Sequence, residues 1–162
     1  MLRIVLDPAK CDGCRVCEGI CSLVNEGECN PEKSRIRVVR TIENEIVNAI
    51  PVFCLQCEKA YCEIVCPSHA ISRNTNGVLI IDEGKCFGCK LCEIACPVGA
   101  ITVMPSKGIA VKCNQCADAN AGEPLCVKYC YTGALQFLPA ERVGKANSRA
   151  RANKFLELER RS

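Results

Sequence analysis

Cysteine is the residue of this chain whose number and spacing point to chemistry. Sixteen of its seventeen cysteines fall into four groups of four, and Cys29 stands apart. Group one is Cys11, Cys14, Cys17 and Cys21; group two is Cys54, Cys57, Cys62 and Cys66; group three is Cys86, Cys89, Cys92 and Cys96; group four is Cys113, Cys116, Cys126 and Cys130. Closely spaced thiolates are ligands for soft metals. The groups therefore predict metal binding.

The spacing within the groups predicts the kind of metal. Groups one and three have the pattern C-x2-C-x2-C-x3-C, the ligand run of bacterial [4Fe–4S] proteins, in which the fourth cysteine binds the other cluster of a pair. Structural zinc sites use two separated pairs of ligands instead, and a radical enzyme would need one three-cysteine site. Two complete runs and two close variants in one short chain favour iron–sulfur clusters over both.

Composition excludes several other classes of protein. An odd cysteine count, and an N-terminus without an export signal, argue against a disulfide framework and predict a reducing, cytoplasmic location. No apolar run is long enough to cross a membrane, so we expect no membrane insertion. The formal charge of +3 is too small to indicate nucleic-acid binding. With no Trp, three Tyr and four Phe, large aromatic side chains cannot fill the core.

The chain contains an internal repeat that places these groups on similar elements. Residues 7–21 align with residues 82–96, and residues 52–57 align with residues 111–116, which indicates a duplicated half with two cysteine groups. Alternation of apolar and polar residues, together with turn signals, predicts strands at 2–6, 35–41, 45–50, 70–73, 78–81, 100–103 and 109–112. A turn is predicted at 43–44, and short helices are predicted near 90–95 and 125–129. The predicted fold is α+β, with two ferredoxin-like modules.

The pairing of the groups within these modules has two solutions. Nineteen residues separate Cys66 from Cys86, enough for one hairpin, so groups two and three can share a module. Groups one and four would then form the other module from the chain ends. Pairing one with two and three with four is the alternative, and spacing favours the first arrangement without excluding the second.

These motifs resemble, over about residues 1–138, the four-cluster iron–sulfur subunits of molybdenum- and tungsten-pterin oxidoreductases. Similar subunits serve formate dehydrogenases, dimethyl sulfoxide reductase, membrane hydrogenases and carbon monoxide dehydrogenase. The resemblance implies that group one pairs with group four and group two with group three. It implies four ligand sets: set one is Cys11, Cys14, Cys17 and Cys130; set two is Cys21, Cys113, Cys116 and Cys126; set three is Cys54, Cys57, Cys62 and Cys96; set four is Cys66, Cys86, Cys89 and Cys92. All sixteen positions are cysteine, so four [4Fe–4S] clusters are expected.

The chain also departs from the pattern. Ser22 and Tyr131 stand where Pro67 and Pro97 follow the last cysteine of the other two groups. These departures concern local geometry and not ligation. The chain lacks the long inserts of larger members, and by size it most resembles the small electron-transfer subunit that accompanies tungsten aldehyde oxidoreductases.

No catalytic apparatus is visible in the sequence, so we predict no enzyme activity. His69 is the only histidine, and it occupies the position of Gly99 and Gly133 in the other groups, as a packing or surface residue would. No glycine-rich nucleotide-binding motif is present. Cys29 is predicted to be a free thiol, because no partner signal accompanies it.

The last segment, residues 139–162, has a different character. Its seven Lys and Arg residues oppose three Glu residues, and a helix is predicted to start at residues 139–141 with Pro139 in its first turn. An apolar face along this helix fits either a solvated helix on its own module or a docking arm for a partner subunit or a second copy. Both interpretations remain open.

The predicted function is electron transfer in an anaerobic oxidoreductase complex. Four clusters would bring the formal charge to about −5 and would relay single electrons between a pterin oxidoreductase, favoured as an aldehyde oxidoreductase, and a second redox subunit or ferredoxin. Copies placed end to end would extend the chain of clusters. The alternatives are a subunit of a carbon monoxide dehydrogenase, hydrogenase or formate dehydrogenase, a free shuttle, and an iron–sulfur sensor or storage protein. Four clusters and a basic tail argue against the shuttle, and the lack of an effector domain argues against the sensor.

Overall fold

The computed structural model describes residues 2–43, 46–117, 122–140 and 142. Short strands and helices alternate along these residues: β1 (Leu2–Leu6), α1 (Val16–Glu26), β2 (Arg37–Glu43), β3 (Ile46–Val52), α2 (Tyr61–Ile64), β4 (Ile71–Arg73), β5 (Leu79–Ile81), α3 (Leu91–Ala95), β6 (Ile101–Met104), β7 (Ile109–Lys112), α4 (Leu125–Lys128) and β8 (Leu135–Pro139). The small mixed strand-and-helix architecture confirms the α+β prediction at this level. No helix within the described ranges has the length and hydropathy of a transmembrane span.

Each of the eight strands pairs with one antiparallel partner. Three sheets are hairpins of consecutive strands, β2–β3, β4–β5 and β6–β7, whereas β1 pairs with β8 from the other end of the body. In that sheet Leu2 lies opposite Pro139 and Leu6 lies opposite Leu135. Because group one follows β1 and group four precedes β8, this pairing places the first and last cysteine groups side by side.

Strand β8 corrects the prediction that Pro139 lies in the first turn of a helix, whereas the predicted helix start at residues 139–141 agrees with the helical Ala140. Pro139 is the last residue of β8 and lies one residue beyond the predicted end of the body. Proline is tolerated at a strand end because the N–H that it lacks is not needed there. Ala140 and Arg142 are helical, and the remainder of the tail, with both interpretations of its role, lies outside the described residues.

The β2–β3 hairpin also differs from its predicted bounds. The sequence predicts the first strand at residues 35–41, but β2 begins and ends two residues later, at Arg37 and Glu43. Glu43 therefore belongs to the strand and not to the turn. Ser34 explains the later start, because its hydroxyl donates to the Ile36 carbonyl at 2.7 Å and accepts from the Ile36 N–H at 3.2 Å. Because this local turn uses the backbone groups of Ile36, pairing with β3 begins only at Arg37.

Helix α1 is longer than the other helices, and Ser22 permits the extension without being sufficient for it, since α4 ends at Lys128 although Tyr131 also replaces proline. Proline at 67 disfavours helical geometry at the residue before it, and α2 ends at Ile64. With serine in the equivalent place, α1 continues to Glu26. The fully buried Ser22 hydroxyl then accepts a hydrogen bond from Asn30 N at 3.0 Å and fixes the following loop.

Buried side chains form two cores in which cysteines take the place of aromatic residues. The first core consists of Ile4, Ile36, Phe53, Cys54, Cys113, Cys126 and Leu135. The second core consists of Ala60, Cys62, Ile71, Leu79, Cys92, Ile101 and Ala110. Phe53 is the one aromatic ring buried in either core among the described residues. The interior therefore depends on thiols and on whatever those thiols bind.

A buried polar network joins the two cores. The Gln56 side chain, which is 0% exposed, accepts from Leu79 N at 2.8 Å and donates to the Cys113 carbonyl at 2.9 Å. The Lys112 ammonium donates to the carbonyls of Leu79 and Cys113 as well, the latter at 3.2 Å. Leu79 belongs to the second core and Cys113 to the first, so two polar side chains fix their relative position.

We expect Gln56→Ala to destabilise this junction. The change leaves the buried Leu79 N–H without its partner, which costs about 1–3 kcal/mol. The thermal midpoint of the metal-loaded protein, measured anaerobically by circular dichroism, should fall. Gln136→Ala is the matched control, because the Gln136 amide is half-buried and bonds only locally to Gly133 O. Equal midpoints for the two variants would contradict the role of Gln56.

Candidate metal centres

One backbone turn recurs in all four cysteine groups. The residue before the second cysteine is Gly13, Gln56, Gly88 or Gln115, and each has a positive φ, at 75°, 53°, 71° and 57°. Glycine adopts this conformation without steric cost. Gly88 is further constrained by packing, because a Cβ atom there would lie 2.1 Å from the Gly108 carbonyl oxygen.

A second turn follows the last cysteine of groups two, three and four. His69, Gly99 and Gly133 have φ values of 49°, 65° and 66°. Their N–H groups donate to the carbonyls of the cysteines three residues earlier, at 3.2, 3.3 and 3.0 Å. The exposed His69 therefore occupies a glycine-like turn position.

The thiols of set one lie close enough to interact. Burial raises the pKa of Cys17 to about 12, and the carboxylate of Glu18 adds to this effect. The Cys14 and Cys11 thiols act in the same direction. Burial also raises the pKa of Cys14, with a further contribution from Cys130 of group four. The thiols of groups one and four therefore lie at the same site.

Set two forms a more deeply buried centre. Burial raises the pKa of Cys126, and its neighbours Cys113, Cys21 and Cys116 raise it further. Burial raises the pKa of Cys113 to about 12, with Cys21 contributing again. These four thiols all line one cavity, with about 370 Å³ of space between atoms.

Set three contains two buried cysteines. Burial raises the pKa of Cys62, and the Cys54 and Cys96 thiols raise it further. Cys57 is half-buried in the same loop as Cys54, and its carbonyl accepts a hydrogen bond from Arg73.

Set four resembles set two in its arrangement. Burial raises the pKa of Cys92 to about 11, and Cys86, Cys89 and Cys66 contribute in the same direction. These four thiols line a cavity with about 320 Å³ of space between atoms. Groups two and three therefore meet here.

Packing between cysteines of different sets arranges the sets in a row. Cys17, Cys126, Cys113 and Cys54 pack in or against the first core, and Cys62 and Cys92 pack together in the second. These contacts join set one to set two, set two to set three, and set three to set four. Sets two and three are therefore the inner sets, and sets one and four are the outer sets.

The donor chemistry fits an iron–sulfur cluster. Each cavity in sets two and four is surrounded by four thiols, and an iron–sulfur cluster is held by four cysteine thiolates. Within the part of the chain that the structure describes, no three His, Cys, Asp or Glu side chains converge on a point as they would around a single ion.

Backbone N–H groups point at the sulfur atoms. Five cysteine sulfur atoms accept a hydrogen bond from a backbone N–H at 3.3–3.5 Å. The donor and acceptor residues are Ala100 and Cys96, Ala110 and Cys86, Gln115 and Cys113, Arg35 and Cys21, and Leu135 and Cys130. Hydrogen bonds of this kind stabilise the thiolate and influence cluster potentials.

Two hydroxyl groups that sequence reasoning missed reinforce these bonds. Ser68 lies 3.6 Å from the Cys66 sulfur, and Thr132 lies 3.5 Å from the Cys130 sulfur. Burial raises the pKa of each thiol, but the hydrogen bonds outweigh burial and the net pKa is lowered. The sequence signal for these contacts is a Ser or Thr two positions after the last cysteine of groups two and four.

Tyr131, the other departure from the motif, connects groups one and four. Its hydroxyl donates to the carboxylate of Asp12, in the loop of group one. Cys29 lies outside the sets; it is exposed, and its sulfur lies near Gly19 on α1.

Comparison with known proteins gives the family. The model of the 4Fe-4S dicluster domain matches residues 46–139. This chain belongs to the 4Fe-4S dicluster family. As a member of this family it holds more than one [4Fe–4S] cluster, which confirms the predicted cofactor type.

Curated relatives of this dicluster protein are similar over most of their length. The putative electron transport protein YsaA of Escherichia coli K12 is 40% identical over 149 residues, covering 86% of this chain and 91% of the relative. The thiosulfate reductase electron transfer subunit PhsB of Salmonella typhi is 38% identical, covering 81% and 72%. The aliphatic sulfonate oxidoreductase polyferredoxin-like subunit of Pyrococcus furiosus is 39% identical, covering 79% and 70%.

A solved structure is similar too. A chain of the active site complex BamBC of benzoyl coenzyme A reductase aligns with a TM-score of 0.52 and 28% identity, covering 91% of this chain and 86% of that one. The dicluster protein is thus related to the iron–sulfur subunits of several reductase complexes.

We expect Gly88→Ala to disrupt the set-four centre. The new Cβ would collide with the Gly108 backbone, so either the cysteine loop or the β6–β7 turn must move. Anaerobically reconstituted protein should lose about four irons per chain, one [4Fe–4S] cluster, by colorimetric assay. Gly27→Ala is the control, because Gly27 has a φ of 75° but open space around it. The prediction is wrong if both variants retain the same iron content.

Proposed function

We propose that this chain is a non-catalytic subunit that relays single electrons through four [4Fe–4S] clusters between a pterin oxidoreductase and a second redox partner. Bound clusters supply one-electron chemistry. The observation that carries the proposal is the row of four cysteine sets, because a row of neighbouring centres is suited to relay. A cytoplasmic location is part of the proposal, and cysteines that form no disulfides support it.

The proposal assigns sixteen cysteines as ligands in sets one to four. Sets one and two form one ferredoxin-like module from the chain ends, and sets three and four form a second module. The pairing of β1 with β8 supports the first module, and the cavity shared by groups two and three supports the second.

The ends of the row are suited to exchange electrons with partners. Cys14 of set one and Cys89 of set four are exposed. Four of the five buried cysteines belong to the inner sets, namely Cys54, Cys62, Cys113 and Cys126, and the fifth, Cys92, belongs to set four. Electrons would therefore enter through one outer set and leave through the other, while the inner sets are shielded from solvent.

The catalytic partner is proposed to contain a tungsten or molybdenum pterin. Relatives named as subunits of thiosulfate and dimethyl sulfoxide reductases support a partner of this broad kind. A tungsten aldehyde oxidoreductase is proposed as the specific partner, with a subunit that reduces NAD or ferredoxin on the other side.

The ligand assignment predicts different results for two cysteine variants. Wild-type protein should bind about sixteen irons after anaerobic reconstitution. Cys62→Ala should lose the set-three cluster and about four irons, whereas Cys29→Ala should lose none. Iron and acid-labile sulfide assays measure both. Full iron content in Cys62→Ala, or zinc as the main metal of the wild type, would contradict the assignment.

The partner assignment predicts a stable complex in native cells. Affinity-tagged chain purified anaerobically should bring down a pterin-containing subunit, and elemental analysis should find tungsten. Molybdenum would indicate another pterin enzyme, such as formate dehydrogenase, and nickel would indicate a hydrogenase or carbon monoxide dehydrogenase. Recovery of the chain alone would favour a free shuttle and overturn the subunit proposal.

A further inference from the structure

Lys112 is a lysine in the interior of the protein, at the end of β7. Its exposed fraction is 3%. In the internal repeat it occupies the position of Phe53, which is buried and apolar. A lysine that replaces an apolar core residue places a charge where the other half of the repeat has none. Such a charge is costly unless compensated.

The hydrogen bonds of Lys112 are made to neutral groups. Its ammonium donates to the carbonyls of Leu79 and Cys113. Among residues 2–43, 46–117, 122–140 and 142, none of the ion pairs involves Lys112. Glu83 lines the same cavity, but it is exposed and forms no such pair. No described carboxylate compensates this charge.

The two carbonyls that accept hydrogen bonds from Lys112 belong to different cores. Leu79 lies in the second core with Cys62 of set three, and Cys113 of set two lies in the first core. Burial raises the pKa of Cys62 in set three, and the charge of Lys112 opposes that rise. Burial likewise raises the pKa of Cys113 in set two, and Lys112 opposes it there too. Since the Cys54 and Cys113 thiols also interact, Lys112 lies where sets two and three meet.

We propose that Lys112 is the counter-charge shared by the two inner clusters and that it raises their reduction potentials. The inference rests on the proposed function, because it requires clusters in sets two and three. A positive charge in a medium of low dielectric constant stabilises the added electron of a reduced cluster. One residue would thereby make the middle of the row easier to reduce, and Lys112 is a tuning residue rather than a catalytic one.

The test compares three variants by anaerobic redox titration followed by electron paramagnetic resonance. Lys112→Gln keeps hydrogen-bond donors and removes the charge. Lys112→Arg keeps the charge. Lys128→Gln removes the same charge from an exposed position on α4, between Cys126 and Cys130, where water screens it.

In Lys112→Gln, the equilibrium constant for reduction of two clusters should fall at least tenfold, which is about 59 mV for one electron. The other two clusters should shift less. Lys112→Arg and Lys128→Gln should stay close to wild type. If Lys112→Gln loads incompletely, Lys112→Met removes the same charge with an unbranched apolar side chain.

Unchanged potentials in a fully loaded neutral variant would overturn the inference and leave Lys112 as a structural tie between the cores. Equal shifts in Lys112→Gln and Lys128→Gln would also overturn it, because burial would then have no effect. Iron analysis of the wild type separates this result from failure of the proposed function, since a wild type without four clusters defeats the function itself.

Discussion

The antiparallel pairing of β1 with β8 is the interaction on which the arrangement of the cysteine groups depends. It joins the first and last strands of the described body and sets Leu2 opposite Pro139. The ladder extends beyond the strands, because Asp7 N donates to Ala134 O at 2.8 Å. The hydrogen bond from Tyr131 to Asp12 then holds the adjoining loops together. Groups two and three lie between β1 and β8 in the sequence, and they meet at the β4–β5 and β6–β7 hairpins.

Burial of the thiols has an energetic consequence for the protein without metal. Burial raises the pKa of Cys17 and Cys113 to about 12 and that of Cys92 to about 11. These thiols are protonated at neutral pH when no metal is bound, so cluster assembly must displace protons. Backbone N–H groups and hydroxyls favour the thiolate at Cys66 and Cys130. The fold therefore stabilises anionic sulfur with dipoles at the edges of the sites.

The two cores share a polar boundary rather than an apolar one. Gln56 and Lys112 both bond to the backbone of Leu79 and Cys113. Hydrogen bonds have directions and apolar contacts do not, so this boundary fixes one relative position of the cores. The duplicated half supplies Gln115 as the counterpart of Gln56, and its amide reaches Leu2 O at 3.5 Å. The repeat thus uses one residue type to join different elements.

The sequence determined the local features of this protein. Cysteine spacing identified the cofactor, and Asn74 to Gly77, with their turn signal, predicted the β4–β5 hairpin, because these features depend on neighbouring residues. Only the tertiary structure brought groups one and four side by side, since the partner of β1 has no local signal. It also made Pro139 a strand residue and placed Lys112 between two thiol sets. Those outcomes depend on contacts between distant segments, which residue type and spacing do not specify.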